Sequence, residues 1–186
     1  LARAAIMTDW GARTLGSMPG RAFCGVAQGD MAAVKGYYRL IDKPDDSPVT
    51  MGAILAPHRA RTVQRMKAQS TVLCIQDGSD LNYATLAQCE GLGVIGSNQT
   101  GARSGGLHVH STLVVSTQGL PLGVLGAQCT APTPRANEDD RAASSIPIEE
   151  KKTFSWITGL RECIELAADL PETRQVCVMD READFF

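Results

Sequence analysis

The sequence predicts an α/β chain in which a small helical region precedes a mixed sheet, and three observations carry that prediction. Short apolar runs rich in Val, at Thr71–Ile75 and Val176–Met179, are too short for helices and read as covered strands of a parallel or mixed sheet. Between them, His108–Ser116 and Leu122–Gln128 flank Thr117-Gln118-Gly119, the pattern of an antiparallel hairpin. Ahead of them, residues 1–68 show helical spacing of apolar side chains, and residues 69–186 carry the strands.

The elements follow in order. Gly11 to Gly29 is glycine-rich and weakly patterned, and no element is assigned to it. Ala32–Ile41 has helical apolar spacing and stops at Lys43-Pro44, after which Asp45-Asp46-Ser47-Pro48 reads as a turn. Thr50 caps the next expected helix, which runs through Ile54, Leu55, Thr62, Val63 and Met66 with Arg61 and Arg65 on one face. Pro57 is expected to kink that helix or to mark its first turn. After the strand Thr71–Ile75, Leu86 to Gly106 holds seven Gly or Ser in its last fourteen residues and predicts a long loop. Pro132 to Pro147 predicts an exposed loop. Glu149 to Asp169 then places Trp156, Leu160, Cys163 and Ala167 on one face of a helix, and Leu170-Pro171 ends it. Strand, hairpin, helix and strand in this order are the opening of a ribonuclease-H-like mixed sheet, cut after its fourth strand.

A chain of 186 residues with 44% hydrophobic content builds a real core. No apolar stretch reaches membrane-spanning length, and Asp9 and Trp10 interrupt the start too early for a signal peptide. The chain opens on Leu1 rather than Met, so an upstream start is expected. Six cysteines without C-x-x-C spacing read as buried, reduced thiols of a cytoplasmic protein. The net charge of -2 is unevenly spread: residues 1–137 carry twelve basic against eight acidic side chains, residues 138–186 six against twelve. No acid lies between Ser47 and Gln76, where Arg59, Arg61, Arg65 and Lys67 cluster. Such a cluster suits a phosphate backbone through counterion release, and equally suits a solvated helix face.

The chemistry-bearing pair is Asp77 and Asp180. Each follows an apolar strand, and ligands of α/β sheets collect at the carboxyl ends of neighbouring strands. If the two strands are adjacent and parallel, the carboxylates converge and need a cation or a proton between them; a hard divalent metal supplies the former. Taken singly, either Asp also reads as a turn former or helix N-cap, Asp180 for a helix starting at Arg181. His108 and His110 share one strand face, and without a third ligand they read as core residues rather than as a metal pair. Gly101 to Gly106 lacks the Lys of a phosphate-binding loop and reads as loop. Tyr37, Tyr38 and Tyr83 read as core or interface aromatics.

Several strings in register go further. Lys35-Gly36-Tyr37-Tyr38-Arg39-Leu40-Ile41-Asp42-Lys43-Pro44, Ile54-Leu55-Ala56-Pro57-His58-Arg59-Ala60-Arg61-Thr62, Ile75-Gln76-Asp77, His110-Ser111, Leu120-Pro121-Leu122-Gly123-Val124-Leu125 and Asp180-Arg181-Glu182-Ala183-Asp184 resemble, in this order, the cut-and-paste DDE transposases of the insertion-sequence-four family. The resemblance runs from about Asp30 to the last residue. It implies a helical N-terminal region that helps to bind DNA, and a ribonuclease-H-like core that uses Mg2+ or Mn2+. In that family the first two acids of the catalytic triad match Asp77 and Asp180, which serve as metal ligands. Carboxylate-held metal ions there support in-line displacement at phosphorus. The implied partners are double-stranded DNA, both transposon ends and target, and a second copy in a homodimer. The implied setting is bacterial, cytoplasmic and nucleoid-associated, without membrane. Arg59, Arg61, Arg65, Lys67 and Arg103 are the expected DNA contacts.

The departures from the family pattern are specific. Gly78 stands where members carry a hydroxyl residue, with Ser79 following. The family's third acid, a Glu within a Tyr-x-x-Arg-x-x-x-Glu spacing on a later helix, has no counterpart up to Phe186, and Glu182 follows Asp180 too closely to serve. A family-like basic segment is not recognisable in Leu1 to Gly29. The expectation is therefore a fragment truncated at both ends that does not cleave DNA alone. The alternative expectation is a non-catalytic DNA-binding or dimerising remnant that inhibits transposition.

Overall fold

In the computed structural model, residues 30–44, 46–85, 88–97, 103–133, 145–151 and 153–184 are described. The chain divides into two compact units, 1–60 and 61–186, and the boundary falls inside a helix. In the first unit, Asp30 caps helix α1 (Met31–Ile41) by accepting from the amides of Ala32 and Ala33, both at 3.0 Å. Helix α2 (Met51–Met66) starts as its sequence predicts, with Thr50 Oγ1 accepting from Ala53 N at 3.1 Å. Pro57 lies in the interior of α2, not in its first turn, so its missing N–H leaves one rung of the helical ladder empty there. Tyr37 and Tyr38 meet edge to face at 5.8 Å on α1, with Tyr38 half exposed. Gly11 to Gly29, Cys24 and Asp45 lie outside the described residues.

The second unit is a five-stranded mixed sheet with helix α3 (Phe154–Ala167). Its strands are β1 (Thr71–Asn82), β2 (Gly93–Ser97), β3 (Arg103–Ser116), β4 (Pro121–Thr130) and β5 (Arg174–Val178). β3 pairs antiparallel with β1 from Val72↔Ser116 to Asn82↔Gly106. Along its other edge β3 pairs with β2 over its first residues and with β4 over the rest. β5 joins β1 in parallel, from Thr71↔Arg174 to Ile75↔Val178. The β3–β4 hairpin turns at Gly119, whose φ of +82° is the left-handed conformation glycine tolerates best.

Three sequence expectations change here. β1 does not stop at Ile75: β3 pairs with it as far as Asn82, so the polar stretch Gln76–Asp80 is strand rather than strand end. The expected loop Leu86–Gly106 contains β2 and the start of β3, and its glycines allow close packing there: a β-carbon at Gly93 would collide with the backbone of Ala131 and Pro132, and one at Gly106 with Leu81 O and Ile95. Within that stretch, Leu86, Ala87 and residues 98–102 lie outside the described residues, as do residues 134–144 of the other expected loop. In α3, the buried side is Trp156, Gly159, Cys163 and Leu166, so the helix is rotated from the predicted face and Ala167 is exposed.

One face of the sheet holds the core. Val72, Cys74, Val114, Leu122 and Leu125 pack with Cys163, Leu166 and Leu170 and with Met66 from the last turn of α2. That turn is tied down by Thr62 Oγ1 donating to Val124 O at 3.0 Å and Arg65 Nη1 donating to Leu122 O at 2.8 Å. Thr173, buried, donates toward Met66 O and Gln69 O, which joins the end of α2 to the start of β5. Cys74, Cys163 and Cys177 stack as neighbouring thiols from β1, α3 and β5; hydrogen bonding to Cys163 lowers Cys74, while the Cys163 thiol is pushed up to about 12. The five described cysteines are free thiols, but Cys89 and Cys129 are exposed, contrary to the expectation that all are buried. The opposite face is only part-covered. Leu113, Val176 and Val178 keep over a third of their surface in water, so β5 is not the fully covered strand its apolar run predicts.

Candidate functional site

The parallel register of β1 and β5 decides where the two carboxylates lie. Ile75 pairs with Val178 at the end of β5, and Asp77 and Asp180 each follow two residues after that last pair. Asp77 remains within β1, opposite Ser111 of β3, while Asp180 stands just beyond the end of β5. Both are exposed. Asp77 Oδ1 accepts from Gly78 N at 2.8 Å, and Asp180 Oδ1 accepts from Glu182 N at 2.7 Å. The second bond caps the single 3₁₀ turn Arg181–Ala183, so Asp180 is also the N-cap that local sequence suggests. Among the described residues neither carboxylate has a basic partner within ion-pairing distance.

Beside this pair, on the helix-covered face, lies a row of buried polar groups. Alternation along β1 and the register with β3 set Gln76, Gly78 and Asp80 against Thr112, His110 and His108. His110 Nε2 lies 3.0 Å from Gln76 Oε1, and the His110 ring packs edge to face on Trp156 at 4.5 Å. His108 Nδ1 lies 2.7 Å from Asp80 Oδ1. Gln76 reaches this position because residue 159 of α3 is glycine; a β-carbon there would collide with Gln76 Oε1. Burial and, next, the neighbouring His108 hold the His110 imidazole below its usual 6.5, against the opposing pull of Asp77, Asp180 and Glu182. The three carboxylates therefore share one electrostatic field around a neutral, buried imidazole.

The oxygens of Asp77 and Asp180, each two residues past the last β1–β5 pair and without a basic partner among the described residues, suit a hard divalent cation by donor chemistry. They are two ligands only: among the described residues no group of three or more His, Cys, Asp or Glu side chains is placed to hold a metal ion. Glu182 is exposed beside Asp180 and contributes charge rather than a gathered third ligand.

The basic side chains are spread along α2. Arg59 and Arg61 are exposed, as is Lys67 just after the helix. Arg65 is exposed too, but its guanidinium is engaged by Leu122 O. Arg103 opens β3, and its side chain lies outside the described residues. Sequence reasoning missed Gln76 and Asp80 as histidine partners. The signal is the shared two-residue period of Gln76, Gly78, Asp80 and of His108, His110, Thr112, which becomes informative only once the strand register is known.

No family model and no curated protein sequence matches this chain. Among the described residues no helix is long and apolar enough to cross a membrane.

Proposed function

We propose that this chain belongs to a metal-dependent DNA strand-cleaving and strand-transferring enzyme, a cut-and-paste DDE transposase of the insertion-sequence-four type. The observation that carries the reading is the parallel pairing of β1 and β5, whose last pair, Ile75 and Val178, stands two residues before Asp77 and Asp180. The strand order supports a ribonuclease-H-like sheet: the hairpin β3–β4 lies antiparallel on one side of β1, and β5 follows a helix to lie parallel on the other. Asp77 and Asp180 would hold Mg2+ or Mn2+, with Glu182 N fixing the Asp180 carboxylate in place. A bound divalent ion supplies activation of an oxygen nucleophile and charge stabilisation at phosphorus. Arg59, Arg61 and Lys67 offer positive charge to double-stranded DNA at transposon ends and target, and a homodimer is the working assembly of this reading.

The test is Mn2+ titration of the full chain followed by electron paramagnetic resonance. Saturable binding that is lost in both Asp77→Asn and Asp180→Asn is expected; equal Mn2+ binding in the wild type and both variants sinks the proposal. With two gathered acids, Mg2+-dependent nicking of DNA by this chain alone is expected to be absent. A second reading, a non-catalytic DNA-binding or dimerising inhibitor, draws on the same two-ligand site and on the part-covered apolar sheet face. In a transposition-inhibition assay Asp180→Asn leaves that activity intact, whereas Arg59→Ala with Arg61→Ala and Lys67→Ala weakens it and flattens its salt dependence by about one unit of slope for each phosphate no longer neutralised.

A further inference from the structure

Asp77 and Gly78 form the one Asp-Gly step in the chain, and the Asp77 carboxylate is turned onto the peptide that joins them. Asp77 Oδ1 accepts from Gly78 N at 2.8 Å, which brings Cγ, one bond from that oxygen, next to the nitrogen of its own successor. Other carboxylates that accept backbone amides reach further along the chain. Asp180 Oδ1 accepts from Glu182 N, and Asp30 Oδ1 from Ala32 N and Ala33 N. A bond from Cγ to the next residue's nitrogen closes a five-membered ring, whereas a bond to an amide further on does not. Glycine supplies the second condition: without a β-carbon its amide nitrogen is unscreened and its backbone turns freely. The Asp77 side chain is exposed, so water reaches the same peptide. The β1–β5 ladder ends at Ile75↔Val178, and among the described residues β3 alone holds the Asp77–Gly78 step in the sheet, through Asp77↔Ser111 and Gly78↔His110.

We propose that Asp77-Gly78 is a self-modification site, at which aspartate isomerises through a cyclic imide to its β-linked form. The Gly78 nitrogen attacks Cγ of the protonated Asp77 carboxyl. The N–Cγ bond forms, a Cγ–O bond breaks, and one water leaves, made from the carboxyl's OH and the amide proton. A second water then opens the imide. Opening at the N–Cγ bond restores aspartate, and opening at the bond to the main-chain carbonyl leaves Gly78 joined through Cγ. Nothing is oxidised or reduced, and water is the only co-reactant. The β-linked product has one more atom in its backbone, and its free carboxylate sits directly on Cα. That lengthens β1 opposite Ser111 and His110 and withdraws the carboxylate from its place on the exposed face. The assignment rests on the contact between Asp77 and Gly78 and stands independently of the transposase reading.

The experiment is incubation of the full chain at neutral pH beside a synthetic peptide of the sequence Ile75–Asn82. Both are sampled over time by peptide mapping with fragmentation that separates the two linkages, and by methyl labelling with an isoaspartyl methyltransferase. In the folded chain β-linked aspartate is expected to accumulate at residue 77, through an intermediate lighter by one water, while Asp30 and Asp180 keep their normal linkage. Accumulation is slower than in the peptide, because β3 restrains ring closure. Asp77→Asn closes the same ring by losing ammonia and still acquires label. Asp77→Glu keeps the charge on an exposed side chain but needs a six-membered ring, so the label at this position is lost. Gly78→Ala is not an equivalent control, since its β-carbon would lie 2.8 Å from His108 Cε1. Absence of β-linkage at residue 77 of the folded chain once the peptide has reached its plateau, or undiminished labelling in Asp77→Glu, overturns the proposal.

Discussion

On the helix-covered face of the sheet Val72, Cys74 and Val114 are completely buried, whereas on the opposite face Leu113 keeps 37% and Val176 and Val178 each keep 39% of their surface exposed. The two faces share the same strands, since side chains alternate sides along each one. The covered face pools apolar area from β1, β3, β4, α3 and the end of α2, and this burial is the main stabilising contribution. The other face contributes less to folding and carries Asp77, in step with Leu73 and Ile75. A carboxylate on the wetter face avoids the cost of burying a charge without a partner. Stability and candidate chemistry are thus separated by the thickness of one sheet, except where the polar row Gln76, His110 and Thr112 brings titratable and polar groups into the covered side.

The difference between the faces is expected to be largest at Trp156. This side chain is 3% exposed and closes α3 over His110, so Trp156→Ala is expected to cost about 3–5 kcal/mol in chemical denaturation. A loss under about 1 kcal/mol would mean that the helix-covered face is not the stabilising one.

A pH series probes the same contrast. The folded His110 binds its proton less readily than the unfolded chain does, because burial outweighs the nearby carboxylates. Its contribution to stability is therefore present above the ordinary value of 6.5 and is lost as pH falls through the lower folded value. Melting temperature should fall with acidification over this window, and less steeply in His110→Gln. Parallel slopes in the two proteins would assign the acid sensitivity to other groups.

The smallest effect belongs to the open face. Val176→Thr, which keeps the branched shape and adds a hydroxyl to a side chain already over a third exposed, is expected to change stability by less than about 0.5 kcal/mol in the same denaturation experiment. A loss of several times that size would show that this face is covered in solution.

Much of the architecture is legible in local sequence because its causes are local. The caps at Asp30 and Thr50, the stop at Lys43-Pro44 and the hairpin turn at Gly119 depend on neighbours within a few residues. What local reading gets wrong depends on distant partners. Gln76–Asn82 looks like a polar strand end, yet β3 continues to supply hydrogen bonds from Thr112 to Gly106. Gly93–Ser97 has loop composition, yet it pairs with the start of β3. In α3 an exact helical repeat favours Leu160 and Ala167, but the position of the sheet selects Gly159 and Leu166. The site divides in the same way: two acids after two apolar runs are visible in the chain, while the parallel pairing of the runs that lead to them is not.

Periodicity and turn chemistry act over a few residues, so the chain alone dictates two apolar strands, a hairpin and a helix between them, and the places of Asp77 and Asp180 after the apolar segments. The parallel pairing of β1 and β5, the register whose last pair precedes both carboxylates by two residues, and the setting of Gln76 against His110 and Asp80 against His108 arise only when the sheet assembles. Strand register rests on hydrogen bonds and packing between segments about a hundred residues apart, and no short window of sequence contains both partners.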